Sequence, residues 1–198
     1  TDGTAAVAAR CGARVLEGPG PGRAVQMNAG AAEARGEVLL FLHADTRLPF
    51  AFEVGMVRAL AKPGVVAGAF GFAFNRSGPG LGVVERAARW RARLGQRPYG
   101  DQALFLRRST FQTLGGFRPL PVMEDYDLVE RLRRRGRVRV LALPALTSAR
   151  RWDEAGTLRT TLLHQILIAG WHLGLAPQTL ARWRTAAARR NRAGRRSR

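Results

Sequence analysis

Cysteine occurs once in the 198 residues, at Cys11, which excludes a disulfide within the chain and a cysteine-based zinc site, and fits a reducing compartment. Long apolar runs are missing too. A membrane-spanning helix needs roughly 18 apolar residues in succession, and the nearest stretch, Leu162 to Ala176, is interrupted by His164, Gln165 and His172. It reads as a buried or interfacial helix. No secretory signal is read ahead of the first helix, so the expected location is cytoplasmic, with contact at the inner face of a membrane left open. Lysine is nearly absent, Lys62 being the only one, and acids are few: 14 Asp and Glu stand against 33 Lys and Arg.

The resulting charge of +19 invites a nucleic-acid reading, because a basic face releases counterions from phosphates. Its distribution weakens that reading. Residues 182–198 alone hold eight arginines and no acid, leaving +11 on the remainder, and no stacking-aromatic or groove-reading motif accompanies the charge. A basic module for RNA or anionic membrane stays as an alternative, with nucleic acid the disfavoured partner. A sugar nucleotide or anionic lipid headgroups would be drawn by the same positive field.

The length suits one domain with a core of its own. Val38 to Leu42 is a continuous apolar run that reads as a strand covered on both faces, closed by the turn chemistry of His43-Ala44-Asp45-Thr46 before Pro49. Ahead of it the spacing predicts a short helix through Arg10, a brief strand at Arg14-Val15-Leu16, the Gly18 to Gly22 punctuation and a helix over Arg23 to Arg35. After it come a helix with Phe52, Met56, Val57 and Leu60 on its apolar stripe, a strand over Val65 to Phe74 and an arginine-rich helix over Val83 to Leu94. A strand over Ala103 to Leu106, a helix led by Glu124-Asp125-Tyr126-Asp127, and a strand over Val138 to Leu143 stopped by Pro144 follow. Helices at Thr157 to Leu173 and Pro177 to about Arg184 end the domain, 1–184, and 185–198 is expected as a disordered Arg-rich tail. Strands alternating with helices predict an α/β sandwich with a mostly parallel central sheet.

Three acidic clusters stand at element ends. Asp45 follows the apolar strand, where ligands of open α/β sheets sit, and a hard divalent cation shared with substrate phosphates needs only one or two such carboxylates. Asp101 precedes another strand. Glu124, Asp125 and Asp127 open a helix with more carboxylates than a cap requires, and mutual repulsion there raises a pKa toward that of a general base. The glycine loop leading to Arg23 offers backbone N–H groups and a cation to phosphate. His43, His164 and His172 read as hydrogen-bonded core residues ahead of metal ligands.

Thr1-Asp2-Gly3-Thr4, Arg23 with Gln26-Met27-Asn28, Leu40 to Thr46, Gly100-Asp101-Gln102, Leu114-Gly115-Gly116-Phe117 and Glu124 to Leu128 follow one another as in family 2 glycosyltransferases, which the sequence resembles from Thr1 to about Trp183. Ser148-Ala149-Arg150-Arg151-Trp152 is most similar to the subgroup associated with radical-SAM and selenodomain proteins. The resemblance implies a GT-A-type, Rossmann-like α/β/α sandwich, a nucleotide-diphosphate sugar donor, Mg²⁺ or Mn²⁺, and inverting transfer of a hexosyl group to an acceptor hydroxyl. It implies Asp45 as metal ligand, with His43 in place of the first acid of the family's DxD motif. It implies Asp125 as base with Glu124 beside it, Asp101 and Gln102 near the sugar, and Arg23, Gln26 and Asn28 on the donor side. Arg150, Arg151 and Trp152 would close over donor or acceptor. The family's first strand and its acid, expected upstream of Thr1, are absent from the sequence. A sugar-phosphate nucleotidyltransferase on a similar scaffold is the alternative enzyme. Under the leading reading, Asp45 and Asp125 must meet across one cleft.

Overall fold

The computed structural model describes residues 3–18 and 20–196, with all their side chains except those of residues 93, 151, 154, 155 and 190–196. The apolar run forms strand β1 (Val38–Phe41), in which Leu39 is the fully buried residue. Its place is at one edge of the sheet. The order is β1-β4-β3-β5-β2, with β2 at Thr46–Arg47, β3 at Val65–Phe74, β4 at Leu104–Arg107 and β5 at Arg137–Thr147.

The sheet is mixed, where the alternation of elements predicts a mostly parallel one. β4 runs antiparallel to both β1 and β3, β2 antiparallel to β5, and only β3 and β5 are parallel. The order of strands and helices in a sequence does not carry strand direction; here a short 3-10 turn, Gly100–Gln102, aims β4 back along β3. Side chains of β4 alternate as the pleat requires. Leu104 and Leu106 meet Leu128, Val129 and Leu132 of α6 (Glu124–Arg133) and Ala24 of α2 (Arg23–Glu33), whereas Phe105 meets Met56, Ala59 and Leu60 of α3 (Phe52–Leu60). Helices therefore cover both faces. The Phe105 ring occupies the space a Cβ on Gly68 would need, its Cζ 2.3 Å from that position.

Two expected elements differ. Arg14-Val15-Leu16 forms no strand, and Val15 and Leu16 are exposed with no sheet neighbour among the described residues. Pro144 does not stop β5. Between Val140 and Pro144 the register with β3 shifts, and the carbonyls of Leu141, Ala142 and Leu143 bulge toward Gly71, where the missing side chain makes room. A proline without its N–H is tolerated at such a bulge, and the strand goes on to pair Thr147 with Thr46.

The remaining helices are α1 (Thr4–Arg10), α4 (Leu81–Gly95), α5 (Arg108–Thr113), α7 (Arg150–Ala155), α8 (Thr157–His172) and α9 (Pro177–Arg196). Phe72, Phe74, Leu81, Ala88, Ala149 and Trp152 bind α4 and α7 to the end of β3. Val122, Leu167 and Leu180 make a separate apolar contact that holds α8 and α9. α9 continues past the expected boundary at Arg184 to Arg196, through alanine and arginine, both good helix formers. No helix among the described residues is long and apolar enough to cross a membrane.

Candidate active site

A cavity opens where the turn after β1, the 3-10 turn, the first turn of α6, the end of β5 and α8 converge, and both Asp45 and Asp125 line it. Asp125 sits in the first turn of α6 and accepts two backbone hydrogen bonds, from Gly100 N at 2.7 Å to Oδ2 and from Tyr126 N at 2.8 Å to Oδ1. Main chain thus fixes both oxygens. Gly100 comes so close that a Cβ there would lie 2.6 Å from Asp125 Oδ2, 3.1 Å from His43 Nε2 and 3.2 Å from Arg23 Nη2. Met123 (φ 66°) and Ala103 (φ 50°) flank these turns in the left-handed region, a conformation costing about 1 kcal/mol or more for a residue with a side chain.

Arg23, the first residue of α2, joins two walls. Its Nη2 lies 2.6 Å from His43 Nε2, and because a guanidinium only donates, that nitrogen is the acceptor. Its Nε stands 3.2 Å from Glu124 Oε1, close enough for an ion pair but without hydrogen-bond alignment, so this buried oxygen has charge compensation and no hydrogen bond. Burial pushes the Glu124 carboxyl above the ordinary range, the neighbouring Asp125 charge adds to this, and Arg23 opposes it.

A carboxyl raised in this way holds its proton more tightly when folded than when unfolded. Its contribution favours folding below the ordinary value of 4.5 and is lost as pH rises through the window up to the raised value. Glu124→Gln removes that loss. In urea titrations the variant gains stability relative to the parent as pH climbs from 4.5; a difference between the two that does not change with pH contradicts the assignment.

Asp45 is exposed on the cavity wall, and its carbonyl accepts from Ser148 N at 3.0 Å, which fastens the turn to the end of β5. A chain of hydroxyls lies nearby. Thr147 Oγ1 donates to Asp101 O at 3.2 Å, so the bond of 3.0 Å between Thr46 and Thr147 is donated by Thr46. Asp101 also lines the cavity. No group of three His, Cys, Asp or Glu side chains among the described residues would hold a metal unaided. An accessible carboxylate in a cavity that also holds Arg23 fits a divalent cation that takes its other ligands from a substrate diphosphate.

Three expected site residues, Gln102, Asn28 and Gln26, do not line the cavity. Gln102 is fully buried, and its amide donates to Phe70 O at 2.9 Å and accepts from Tyr99 N at 3.1 Å, so it shapes the turn carrying Gly100 and Asp101. Asn28 spends both ends on Phe117, donating to its carbonyl at 2.8 Å and accepting from its N–H at 2.9 Å. Gln26 is exposed on α2, away from the cavity. Trp152 is buried, lines the cavity and packs on Phe74 and His164. Arg150 opens α7, and the side chain of Arg151 lies outside the described residues.

The fold also brings here residues expected in the core or given no role by the sequence. His43 and His164, expected in the core, line the cavity, and His172 is exposed with Nε2 2.7 Å from the Tyr126 hydroxyl. Tyr99 is also on the wall, with Arg91 stacked 3.5 Å from its ring centre; burial pushes its hydroxyl up to about 12, against the pull of Arg91. Gly100 matters through the side chain it lacks, which no motif of charged or polar residues reveals.

The profile of Glycosyl transferase family 2 matches residues 1–114, more than half of the chain. That span includes Arg23, Asp45 and Asp101 and stops before Glu124. Among solved structures, the chain is similar to the mannosyltransferase PcManGT from Pyrobaculum calidifontis in complex with GDP-Man and Mn²⁺. The TM-score is 0.59 and the identity 18%, over 98% of this chain and 63% of that one. The likeness is one of fold, a GT-A-like α/β architecture with a mixed sheet. The chain spans 63% of that protein's length. A search of curated proteins returns no match.

Proposed function

Because the chain belongs to glycosyl transferase family 2, we propose that it moves a sugar, with inversion, from a nucleotide-diphosphate sugar to an acceptor hydroxyl, with the help of Mg²⁺ or Mn²⁺. The observation that carries this reading is the meeting of Asp45 and Asp125 on the wall of one cavity. The likeness of Ser148 to Trp152 to the radical-SAM and selenodomain-associated subgroup supports placing the chain near it.

Each side chain has work suited to its position. Asp125, oriented by two amides, takes the proton of the attacking hydroxyl. Glu124, buried against Arg23, fixes the guanidinium that faces the donor. Asp101 contacts the sugar from the turn shaped by Gln102, while Trp152 borders the donor or acceptor. Asp45 would hold the divalent cation, which when bound offsets negative charge on the departing diphosphate.

Incubating the full chain with a panel of GDP- and UDP-sugars and Mn²⁺ should release nucleoside diphosphate, by hydrolysis or by transfer to added acceptors. Pyrophosphate formed from a sugar phosphate and a nucleoside triphosphate would instead identify a nucleotidyltransferase.

A further inference from the structure

We propose that the outer face of α8 and α9 docks the protein on an anionic lipid bilayer. Leu158, Leu162 and Ile166 recur every fourth residue along α8 and so share one side of it, with exposures of 73%, 52% and 51%. Leu173, just beyond the helix, is 81% exposed, and Trp183 of α9 is 41% exposed. Together with Ala186 and Ala187 these α8 and α9 side chains border an open apolar groove of about 860 Å³. Single exposed leucines are ordinary on a protein surface, whereas a contiguous apolar face marks an interaction site. The other side of α8 is occupied already, since Leu167 is buried and both Leu167 and Ile168 line the active-site cavity.

Charge selects the occupant. From Ala155 to Arg198 the sequence has nine arginines and no acid. Arg159 borders the groove, and Arg182 and Arg189, seven residues apart on α9, are exposed. A second copy of the chain would bring the same uncompensated positive charge to the contact. RNA would use the arginines and leave the apolar groove uncovered. An acidic lipid surface satisfies both parts, with Leu158, Leu162, Ile166 and Trp183 in the acyl boundary and the guanidinium groups among the headgroups. Neither helix spans a bilayer, so both lie in its plane.

Flotation of the full chain with phosphatidylcholine vesicles containing about one third phosphatidylglycerol tests this. The chain floats with these vesicles and not with pure phosphatidylcholine, and the Trp183 emission shifts to the blue and is quenched by brominated lipid, a response missing in Trp183→Phe. Leu162→Glu combined with Ile166→Glu lowers binding at least about tenfold, and Arg182→Gln and Arg189→Gln each lower it about fivefold. These positions lie outside the active-site cavity, so donor turnover in solution continues in all of them. Absence of flotation overturns the proposal, as does unchanged flotation of the double glutamate variant. A dimer that dissolves in that variant, or polyuridylate binding lost in it, identifies another occupant. If the double variant does not fold, lipid quenching of Trp183 in the parent protein still decides.

Discussion

Asp125→Asn is expected to leave a folded protein whose kcat for sugar transfer is lower by about three orders of magnitude, within the range that a positioned general base contributes. The donor KM should stay within about twofold, because a proton acceptor acts in the transition state and hardly on bound donor. Asparagine keeps one acceptor oxygen for an amide and turns an NH₂ group toward the other, so part of the loss comes from a carboxamide that no longer sits squarely between Gly100 N and Tyr126 N. The split between kcat and KM separates the base from a merely structural residue. Full turnover in the variant would remove Asp125 from the mechanism.

Chelation of divalent cations should abolish turnover, and Mn²⁺ or Mg²⁺ should restore it. Asp45→Asn should lower kcat/KM by about 10² to 10³, the effect of losing several kcal/mol of charge stabilisation at a diphosphate. The variant should also need more Mn²⁺ for half-maximal rate, since it offers the cation a neutral amide in place of a carboxylate. A calorimetric titration with Mn²⁺ and a nucleoside diphosphate, with no turnover involved, reads the same loss as weaker ternary binding. Activity that persists in excess chelator would separate Asp45 from metal binding.

Periodicity and punctuation made the elements legible. β3 spans the expected residues, Val65–Phe74, and α6 begins at the acidic cluster, Glu124. The pairing of Asp45 and Asp125 was legible through their placement at element ends, where a folded sheet gathers loops. Strand direction was not, because β4 is reversed by three residues, Gly100–Gln102, whose sequence reads only as a turn. Nor was the role of a polar side chain inside a motif. Gln102 follows Asp101, which lines the cavity, and Asn28 lies on the helix that Arg23 opens, yet their amides are spent on backbone at Phe70, Tyr99 and Phe117. Whether a carboxamide faces a ligand or the main chain depends on partners such as Phe70 and Phe117, tens of residues away. Pro144 misled for a similar reason: the bulge that admits it is made by Gly71 on another strand.

The cradle around Asp125 has a consequence for how such a protein can diverge. Both grips on the carboxylate come from backbone N–H groups, which every residue type but proline supplies, so the amino acids around it are free to drift without moving the acid. The exception is position 100, where any substituent on the α-carbon would displace the oxygen. Distant kin that use the same acid should therefore have unrelated surroundings and a shared glycine, a bare spot where an inventory of reactive groups would find nothing to compare.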